Sequence, residues 1–548
     1  MRKWLRSALP FLAVAAGLAI TLHVPLRSSL TQMHADPGDA RHLNYVLEHA
    51  WLWATGDANH ADLWSPPFFF PAKETGAYSE MLLGVVPFYA PFRAAGFSPE
   101  ISLQLWTFLV LLLDFAASYL LLRRGFRFEV EGSTAGAYLF SFASLRARRL
   151  GHQHLLPHFF TALALLGLVE ALRPPREGEA DHRRRGIVLF VGGMVAQLYA
   201  GFYLLWFFVA GLAVALGFAL ANREHRAVLA ANLVRFRFLW LGSIGVGAAL
   251  SWPLVRVHLA AAQTVGYRGF DDVRPFLPPI KAWLDPGPWS WFYGSWMGRW
   301  ETFRLQPLEW EKQLFLGFVT TALVVWGLRL SWHRTSVRAI VLPGLVLAVL
   351  ATSWPFLPVP PWRLVFHLVP GAKAIRAVPR VALVLLIPAA IGLAAVADDF
   401  VRRRRGLLLC LLLLVPLEQG QTLASFDYRP VRARVDALAR SIPADCRAFF
   451  YVAGKDAPQF FENQIDAMWA GSLVGIPTLN GYSSNFPPGW PPLLENAVRD
   501  PADVPRLQSA VDSWTRERHL DPAGVCLVGF PAAPSPMLSV GPGARRRR

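Results

Sequence analysis

Apolar segments of about 20 residues recur along the chain and alternate with short clusters of arginine. A helix of roughly 20 apolar residues can cross a bilayer, and basic residues concentrate at the cytoplasmic ends of such helices. Residues 81–95 are apolar but short and interrupted by proline, so we assign them to a loop. The pattern predicts about 11 transmembrane helices, at 7–26, 101–122, 132–147, 155–172, 187–203, 204–221, 238–258, 314–330, 339–356, 379–397 and 406–421.

The positions of the basic clusters predict the orientation of these helices. With the N-terminus in the cytoplasm, all but two clusters fall on the cytoplasmic side. Residues 1–421 then form a transmembrane domain with two long external loops, at 27–100 and 259–313, and residues 422–548 follow outside the membrane. We therefore expect a multi-pass protein whose C-terminal domain is extracytoplasmic.

The C-terminal region, 422–548, is more polar and predicts a small soluble α/β domain. Short apolar runs at 446–454 and 524–530 are typical of strands, and a helical pattern lies near 501–519. Cys446 and Cys526 lie in the two runs, so an oxidising compartment would favour a disulfide between them. Cys410 lies in a predicted span and is expected to be a free, buried thiol. The fold class expected is an all-α polytopic membrane protein with this α/β domain attached.

Composition favours a membrane protein, and the distribution of charge argues against nucleic-acid binding. The chain is 54% hydrophobic and 17% charged, and its mean hydropathy is +0.34, values that favour a polytopic membrane protein. The net charge of +17 could indicate nucleic-acid binding. Because the arginines stand in short clusters between apolar runs, however, the charge follows the positive-inside pattern, and no nucleic-acid partner is expected.

Carboxylates in the first external loop are the first candidates for chemistry. Asp36 and Asp39 flank a Pro-Gly turn, and a helix is expected to start near Ala40 with Asp39 as its N-cap. A helix N-terminus carries partial positive charge, so such a turn can hold two acids at the mouth of a membrane cavity as base or metal ligand. The other interpretation is a solvated capping turn. Glu80, later in this loop, either joins the aspartates or caps the helix that follows it.

Two basic clusters fall on the predicted outer face, where short loops avoid positive charge. They lie at 145–158 and 371–380 and include Arg146, Arg148, Arg149, Lys373, Arg376 and Arg380. A lipid phosphate or pyrophosphate would neutralise this positive charge, because one guanidinium group can bind two phosphate oxygens at once. The alternatives are that these side chains reach ordinary acidic lipid headgroups, or that the span predicted at 132–147 is wrong. The first cluster also contains His152, His154 and His158, which could bind a substrate or a divalent metal ion.

Four segments resemble a known class of membrane enzymes: DPGDARHLNYVLEH, PFFFPAKETGAYSEMLLG, RARRLGHQHLLPHF and AIRAVPR. Together with a long loop after the first span and a C-terminal external domain, they resemble the GT-C class of integral-membrane glycosyltransferases. They are most similar to bacterial GT-C-like membrane proteins, and the similarity extends over most of the membrane region.

The resemblance implies a sugar donor carried on polyprenyl phosphate and transfer on the outer side of the bacterial plasma membrane. It implies an aspartate in the first external loop as general base, which would be Asp36 or Asp39 here. Glu80, from its place at the end of the same loop, is the further catalytic candidate. Arg148, Arg149, His152, His154, Arg376 and Arg380 would bind the substrate. The acceptor, whether glycan, lipid or protein, is left open, as is a metal ion. This chain has Asp-Pro-Gly-Asp where other members carry nearly adjacent acids.

Two other functions fit the same features. A transporter or flippase of lipid-linked saccharides would use the acidic turn and the arginines to bind substrate without chemistry. A catalytically inactive GT-C scaffold would keep the architecture alone. The long external loops and the lack of an evident internal repeat favour an enzyme.

Overall fold

The computed structural model describes residues 3–178, 180–304, 307–403, 405–455 and 458–529, and it is mostly helical. The chain divides into two compact units. The first contains residues 1–57 and 76–430, and the second contains residues 58–75 and 431–548. This division differs from the expected domains, 1–421 and 422–548, in two places. Residues 422–430 belong with the first unit, and residues 58–75 of the first predicted loop belong with the second.

The helices of the first unit follow the apolar pattern of the sequence. They are α1 (Lys3–Thr21), α2 (His23–Arg27), α3 (Asp39–Thr55), α4 (Val86–Ala94), α5 (Pro99–Leu120), α6 (Val130–Phe142), α7 (Ser144–Ala147), α8 (Phe159–Leu172), α9 (Arg183–Ala200), α10 (Phe202–Ala221), α11 (Arg223–Arg235), α12 (Arg237–Val265), α13 (Phe270–Val273), α14 (Glu301–Arg304), α15 (Phe318–Ser331), α16 (Thr335–Ala351), α17 (Trp362–Leu368), α18 (Val381–Arg403) and α19 (Arg405–Glu418). Strands β1 (Gln32–His34) and β2 (Ser425–Asp427) pair antiparallel, with His34 opposite Ser425.

Among the described residues, five helical segments are long and apolar enough to cross a membrane: Pro99–Gly125, Gln153–Leu172, Phe202–Ala221, Arg237–Val265 and Val378–Arg403. Shorter apolar helices are Arg6–Thr21, Phe318–Ser331 and Thr335–Ala351. The total of about 11 spans therefore remains a prediction. Helix α18 forms the centre of the unit, because nearly all of its side chains are buried.

The helix at the span expected at 132–147 is shorter than predicted. Helix α6 has 13 residues, so it is about 20 Å long and shorter than the roughly 30 Å apolar layer of a bilayer. It packs against α5 and α18 and is buried along most of its length. Helix α6 is therefore enclosed by its neighbours, and that it spans the bilayer remains a prediction. The chain turns at Ala143 into the short helix α7.

Close packing of α8 against α9 depends on small residues. A Cβ atom added to Gly167 would come within 2.5 Å of the backbone nitrogen of Phe190, and one added to Gly186 would come equally close to Ala171. Glycines on facing helices allow such backbone contact, which is a common way for apolar helices to associate.

The second unit contains a parallel strand pair, β3 (Ala448–Tyr451) with β4 (Val525–Val528). Its helices are α20 (Tyr428–Ser441), α21 (Phe460–Val474) and α22 (Asp503–Glu517). The unit begins at residue 431, within α20. Cys446 and Cys526 form the expected disulfide. Segment 58–75 joins this unit through backbone hydrogen bonds from Phe69 to Asn480 (2.9 Å) and from Phe70 to Thr478 (3.0 Å). Cys410 is free, as expected, but exposed rather than buried, because its side of α19 faces away from the protein.

Candidate functional site

The acidic turn is shaped by its first aspartate. Asp36 Oδ1 accepts a hydrogen bond from the backbone nitrogen of Gly38 at 2.7 Å, the geometry of an Asx turn. Helix α3 then starts at Asp39, one residue earlier than expected, with Gly38 and not Asp39 as its N-cap. Asp36 is exposed, whereas Asp39 is only partly exposed and lies at the positive end of α3.

The first basic cluster meets the acidic turn at Gly151. A Cβ atom on Gly151 would lie 2.4 Å from Cβ of Ala35, so only glycine permits this approach. The next residue, His152, then brings its Nε2 to 3.3 Å from Oδ2 of Asp39. The side chain of Asp39 is 40% exposed and that of His152 is 24% exposed, so solvent or a substrate can reach this pair.

A buried ion pair holds the segment that carries His152. Arg146 Nη1 lies 2.9 Å from Asp114 Oδ2, in the middle of α5, and Arg146 also donates to the carbonyl oxygens of Phe140 and Leu156 at 2.7 Å each. The other oxygen of Asp114 accepts from the backbone nitrogen of His158 at 2.9 Å. A partner within the protein therefore compensates Arg146, and no phosphate is needed to explain it.

Glu311 links the two basic clusters. Its carboxylate lies 2.8 Å from Arg149 and 2.9 Å from Arg380, each on a different oxygen. Arg149 also donates to the backbone carbonyl of Glu311 at 2.9 Å. Both arginines and the carboxylate are almost fully buried. One negative charge thus faces two positive charges, and the group keeps an excess of one positive charge.

His154 and Tyr203 extend this group toward the acidic turn. Arg380 Nη1 lies 3.2 Å from Nε2 of His154, and its guanidinium lies 4.8 Å from the centre of the Tyr203 ring. The rings of His152 and His154 are 5.9 Å apart and meet edge to face. Asp39, the two histidines, Arg380 and Glu311 therefore form a continuous polar row, which we call the acid–arginine row.

The electrostatics of the row favour a charged glutamate beside neutral His152. Burial alone would raise the pKa of Glu311, but Arg149 and Arg380 outweigh it and hold that pKa well below its ordinary value. Burial, reinforced by Arg380, lowers the pKa of His152. At neutral pH a neutral His152 can therefore donate through Nε2 to the carboxylate of Asp39.

Glu80 lies near Arg380 and caps a helix, though a different helix from the one expected. Its Oε1 accepts from the backbone nitrogens of Phe202 (3.0 Å) and Tyr203 (3.3 Å), at the start of α10. Burial raises the pKa of Glu80 to about 7, and the two amides and Arg380 oppose that shift. Its contacts are those of a capping residue that fixes Tyr203.

Of the remaining basic candidates, one is hydrogen-bonded within the protein and two are partly or fully exposed. Arg148 donates to the carbonyls of Pro286 and Gln313 and to the side chain of Gln421, so it anchors the second predicted loop. Arg376 is partly exposed and stacks on Phe276 at 5.1 Å. Among the described residues its Nε has no hydrogen-bond acceptor. Lys373 is exposed, 5.9 Å from the Tyr267 ring.

The three histidines do not form one group. His158 is buried and stacks on Phe140 with ring centres 4.8 Å apart, away from the pair formed by His152 and His154. Within the described part of the chain, no three histidine, cysteine, aspartate or glutamate side chains are arranged to hold a metal ion.

The sequence did not single out Glu311 or Tyr203, because no local motif marks them. Glu311 lies in the second predicted loop, far along the chain from Arg149. The signal that could have found it was the excess of arginine on the outer face. A buried guanidinium requires a buried acid, and Glu311 is one of the last acids before α15.

No protein-family model matches the sequence. A search of curated proteins returns no match. Comparison with solved structures returns the cryo-EM structure of arabinofuranosyltransferase AftD from Mycobacteria, at 16% identity and a TM-score of 0.49, covering 89% of this chain and 32% of that chain. It also returns the crystal structure of ArnT from Cupriavidus metallidurans bound to undecaprenyl phosphate, at 12% identity and a TM-score of 0.35, covering 85% of this chain and 89% of that chain.

Both solved structures are GT-C class membrane glycosyltransferases, the class that the four sequence segments resemble. This chain spans about a third of the length of the arabinofuranosyltransferase chain. At these TM-scores the alignments assign no residue, substrate or activity to it.

Proposed function

We propose that this protein is a membrane glycosyltransferase. It moves a sugar from a polyprenyl-phosphate-linked donor to an acceptor on the extracytoplasmic face of a bacterial inner membrane. The observation that carries the proposal is the 3.3 Å contact between Asp39 and His152. Through it, a partly exposed carboxylate joins a buried cluster with excess positive charge at the ends of apolar helices.

Asp39 is the proposed general base. A carboxylate that takes a proton in the transition state must be reachable by the acceptor hydroxyl and held in one orientation. The partial exposure of Asp39 meets the first requirement and its contact with His152 supports the second. Asp36 is the weaker candidate, because its carboxylate oxygen is engaged by the Gly38 amide within the turn.

Arg376 is the proposed ligand of the donor phosphate. Its side chain is partly exposed, and in the part of the chain that the structure describes its buried Nε has no hydrogen-bond acceptor. Arg149 and Arg380 share Glu311, so they contribute the surrounding positive potential. Guanidinium groups stabilise phosphate charge, which grows as the leaving group departs.

The reaction balances as a single displacement. The acceptor oxygen attacks C1 of the sugar, and Asp39 takes the hydroxyl proton. The bond between C1 and the phosphate oxygen breaks, and its electron pair leaves on polyprenyl phosphate. Attack from the face opposite the phosphate inverts the anomeric centre. Asp39 then releases the proton to solvent.

The test is transfer by the purified full-length protein from radiolabelled polyprenyl-phosphate sugars to extracted envelope acceptors. Asp39→Asn should abolish transfer without loss of folding. Asp36→Asn is the matched control, because asparagine keeps the acceptor oxygen of the turn, and it should remain active. Arg376→Ala should raise the KM for donor.

If Asp39→Asn turned over as fast as the wild type, Asp39 would not be the general base. If labelled lipid crossed a liposome membrane intact and no bond were cleaved, the protein would instead be a transporter.

A further inference from the structure

Residues 289–300, between α13 and α14, form a segment that we call the tryptophan loop. It contains four tryptophans and a phenylalanine but a single charged residue, Arg299. Five of its aromatic side chains are between 42% and 54% exposed: Trp289, Trp291, Phe292, Trp296 and Trp300. Isolated exposed aromatics are ordinary, but so many within 12 residues form an apolar surface that requires a partner.

The loop has two faces. Tyr293 and Met297, four residues apart, are buried against Phe303 and Phe315. Phe292, Trp296 and Trp300 recur with the same spacing on the outward face. The outward side chains pack together, since the rings of Trp296 and Trp300 meet edge to face at 5.8 Å. Trp296 and Trp300 therefore hold each other in place on the outward face.

Hydrogen bonds fix the loop to the ends of apolar helices. The backbone of Trp291 donates to Gly420 at 3.1 Å, and Thr422 donates to Trp289 at 2.8 Å, just after α19. The hydroxyl of Tyr293 contacts Glu418 and accepts from the backbone nitrogen of Phe318 at 3.2 Å, where α15 begins. Phe318 and Leu417, beside these contacts, are themselves exposed. The aromatic surface is thus continuous with the outward sides of two apolar helices.

We propose that the tryptophan loop is a bilayer-interface anchor that seats its outward aromatic rings among the lipid headgroups. Tryptophan concentrates at this level because its large ring is apolar while its edge tolerates water. The apolar face of an interfacial helix lies roughly 5–10 Å into the boundary between headgroups and acyl chains, and we expect the outward rings of the loop at a similar depth. With a single cation, the loop needs no acidic lipid.

A glycan is the other partner that aromatic faces fit, and the loop is poorly equipped for it. Sugar sites add convergent polar groups to their aromatic rings. Here the indole nitrogens of Trp291 and Trp296 already donate to Thr422 and to the carbonyl of Phe292. Apolar carbon therefore dominates what the outward face presents.

The test uses nitroxide spin labels on the full-length protein in phosphatidylcholine vesicles. Labels replace Phe292, Trp296 or Trp300 as single cysteines in a Cys410→Ser background, which leaves the disulfide intact. Glu177→Cys is the control, since Glu177 is exposed in a polar segment between α8 and α9. We expect the three loop labels to collide several-fold less with a water-soluble nickel chelate, and more with oxygen, than the control label. The difference should persist at high salt.

Three labels keep the test valid if one substitution disturbs folding. The proposal is overturned if the nickel chelate reaches the loop labels as freely as the control. It is also overturned if a soluble oligosaccharide protects them, which would identify a glycan surface. Neither result depends on glycosyltransferase activity.

Discussion

Replacing Glu311 with glutamine tests whether the acid–arginine row is held together by one charge. The carboxylate is 3% exposed and lies 2.8 Å from Arg149 and 2.9 Å from Arg380. Glutamine keeps the shape and removes the charge, so two buried guanidinium groups would face each other without a counterion.

The expected cost is large because both arginines stay charged. Removing one partner of a buried ion pair typically destabilises a protein by about 3–5 kcal/mol, mostly through the uncompensated charge left behind. Glu311→Gln should fall in this range. Glu309→Gln provides a matched control in the same segment. Glu309 pairs with Arg304 at 2.8 Å, but the two side chains are 29% and 22% exposed, so its loss should cost about 0–1 kcal/mol.

The assay is equilibrium unfolding in mixed micelles with increasing dodecyl sulfate, followed by intrinsic fluorescence. The pKa of Glu311 is held below its ordinary value in the folded state, so its contribution is present above the unfolded pKa of about 4.5 and disappears as pH falls through the folded pKa. The difference in free energy of unfolding between the wild type and Glu311→Gln should therefore persist at pH 5 and disappear in stronger acid.

A Glu311→Gln protein as stable as Glu309→Gln would refute the reasoning, because it would mean that the shared charge is not needed. If Glu311→Gln does not fold, Glu311→Asp, which keeps the charge on a shorter side chain, should recover a folded protein. If neither variant folded, the length of the side chain at position 311, and not its charge, would be what stabilises the cluster.

Three further predictions concern Gly151, Glu80 and the disulfide. Gly151→Ala should destabilise by about 1–3 kcal/mol through overpacking against Ala35 and should reduce transfer, and the double variant with Ala35→Gly should restore both; a fully active single variant would contradict the close approach. Glu80→Gln should flatten part of the pH dependence of stability. The pKa of Glu80 in the folded protein is raised to about 7. Its contribution to the free energy of unfolding is therefore complete below its unfolded pKa and is lost as pH rises toward 7. Melting temperatures measured across this pH range should fall less steeply with pH in Glu80→Gln than in the wild type, and equal slopes would contradict the raised pKa. Cys446→Ser should destabilise the second unit by about 2–5 kcal/mol, detected as faster proteolysis of that unit, whereas Cys410→Ser should have no effect; equal resistance of the two variants would contradict a stabilising disulfide.

The hydrophobic pattern predicted the positions of the long apolar helices well. The expected segment at 101–122 corresponds to Pro99–Leu120, and the break between two adjacent helices appears at Gly201, close to the predicted point at 203/204. The segment predicted at 132–147 is a shorter helix, Val130–Phe142. Because a helix buried in protein is as apolar as one in lipid, its role as a span remains a prediction.

For the site, local sequence identified the acidic turn and the two basic clusters, and the structure brings Asp39, His152, His154, Arg149 and Arg380 together. Their catalytic and binding roles remain predictions. Sequence could not assign partners, because pairing depends on contacts between distant segments. Arg148, Arg149 and Arg146 are near neighbours in the chain, yet they end on loop carbonyls, Glu311 and Asp114 respectively.

The pairing of β1 with β2 has a consequence for biosynthesis. His34 and Ser425 stand opposite each other, and the backbone nitrogen of Ala35, beside Asp36, donates to Ala424 at 2.8 Å. A ribosome adding about 5–20 residues per second needs on the order of 20–80 s to reach β2 after β1 has emerged. During that interval the nascent chain carries an unpaired strand edge next to its acidic turn. Truncation before residue 424 would leave that edge permanently open to misassembly.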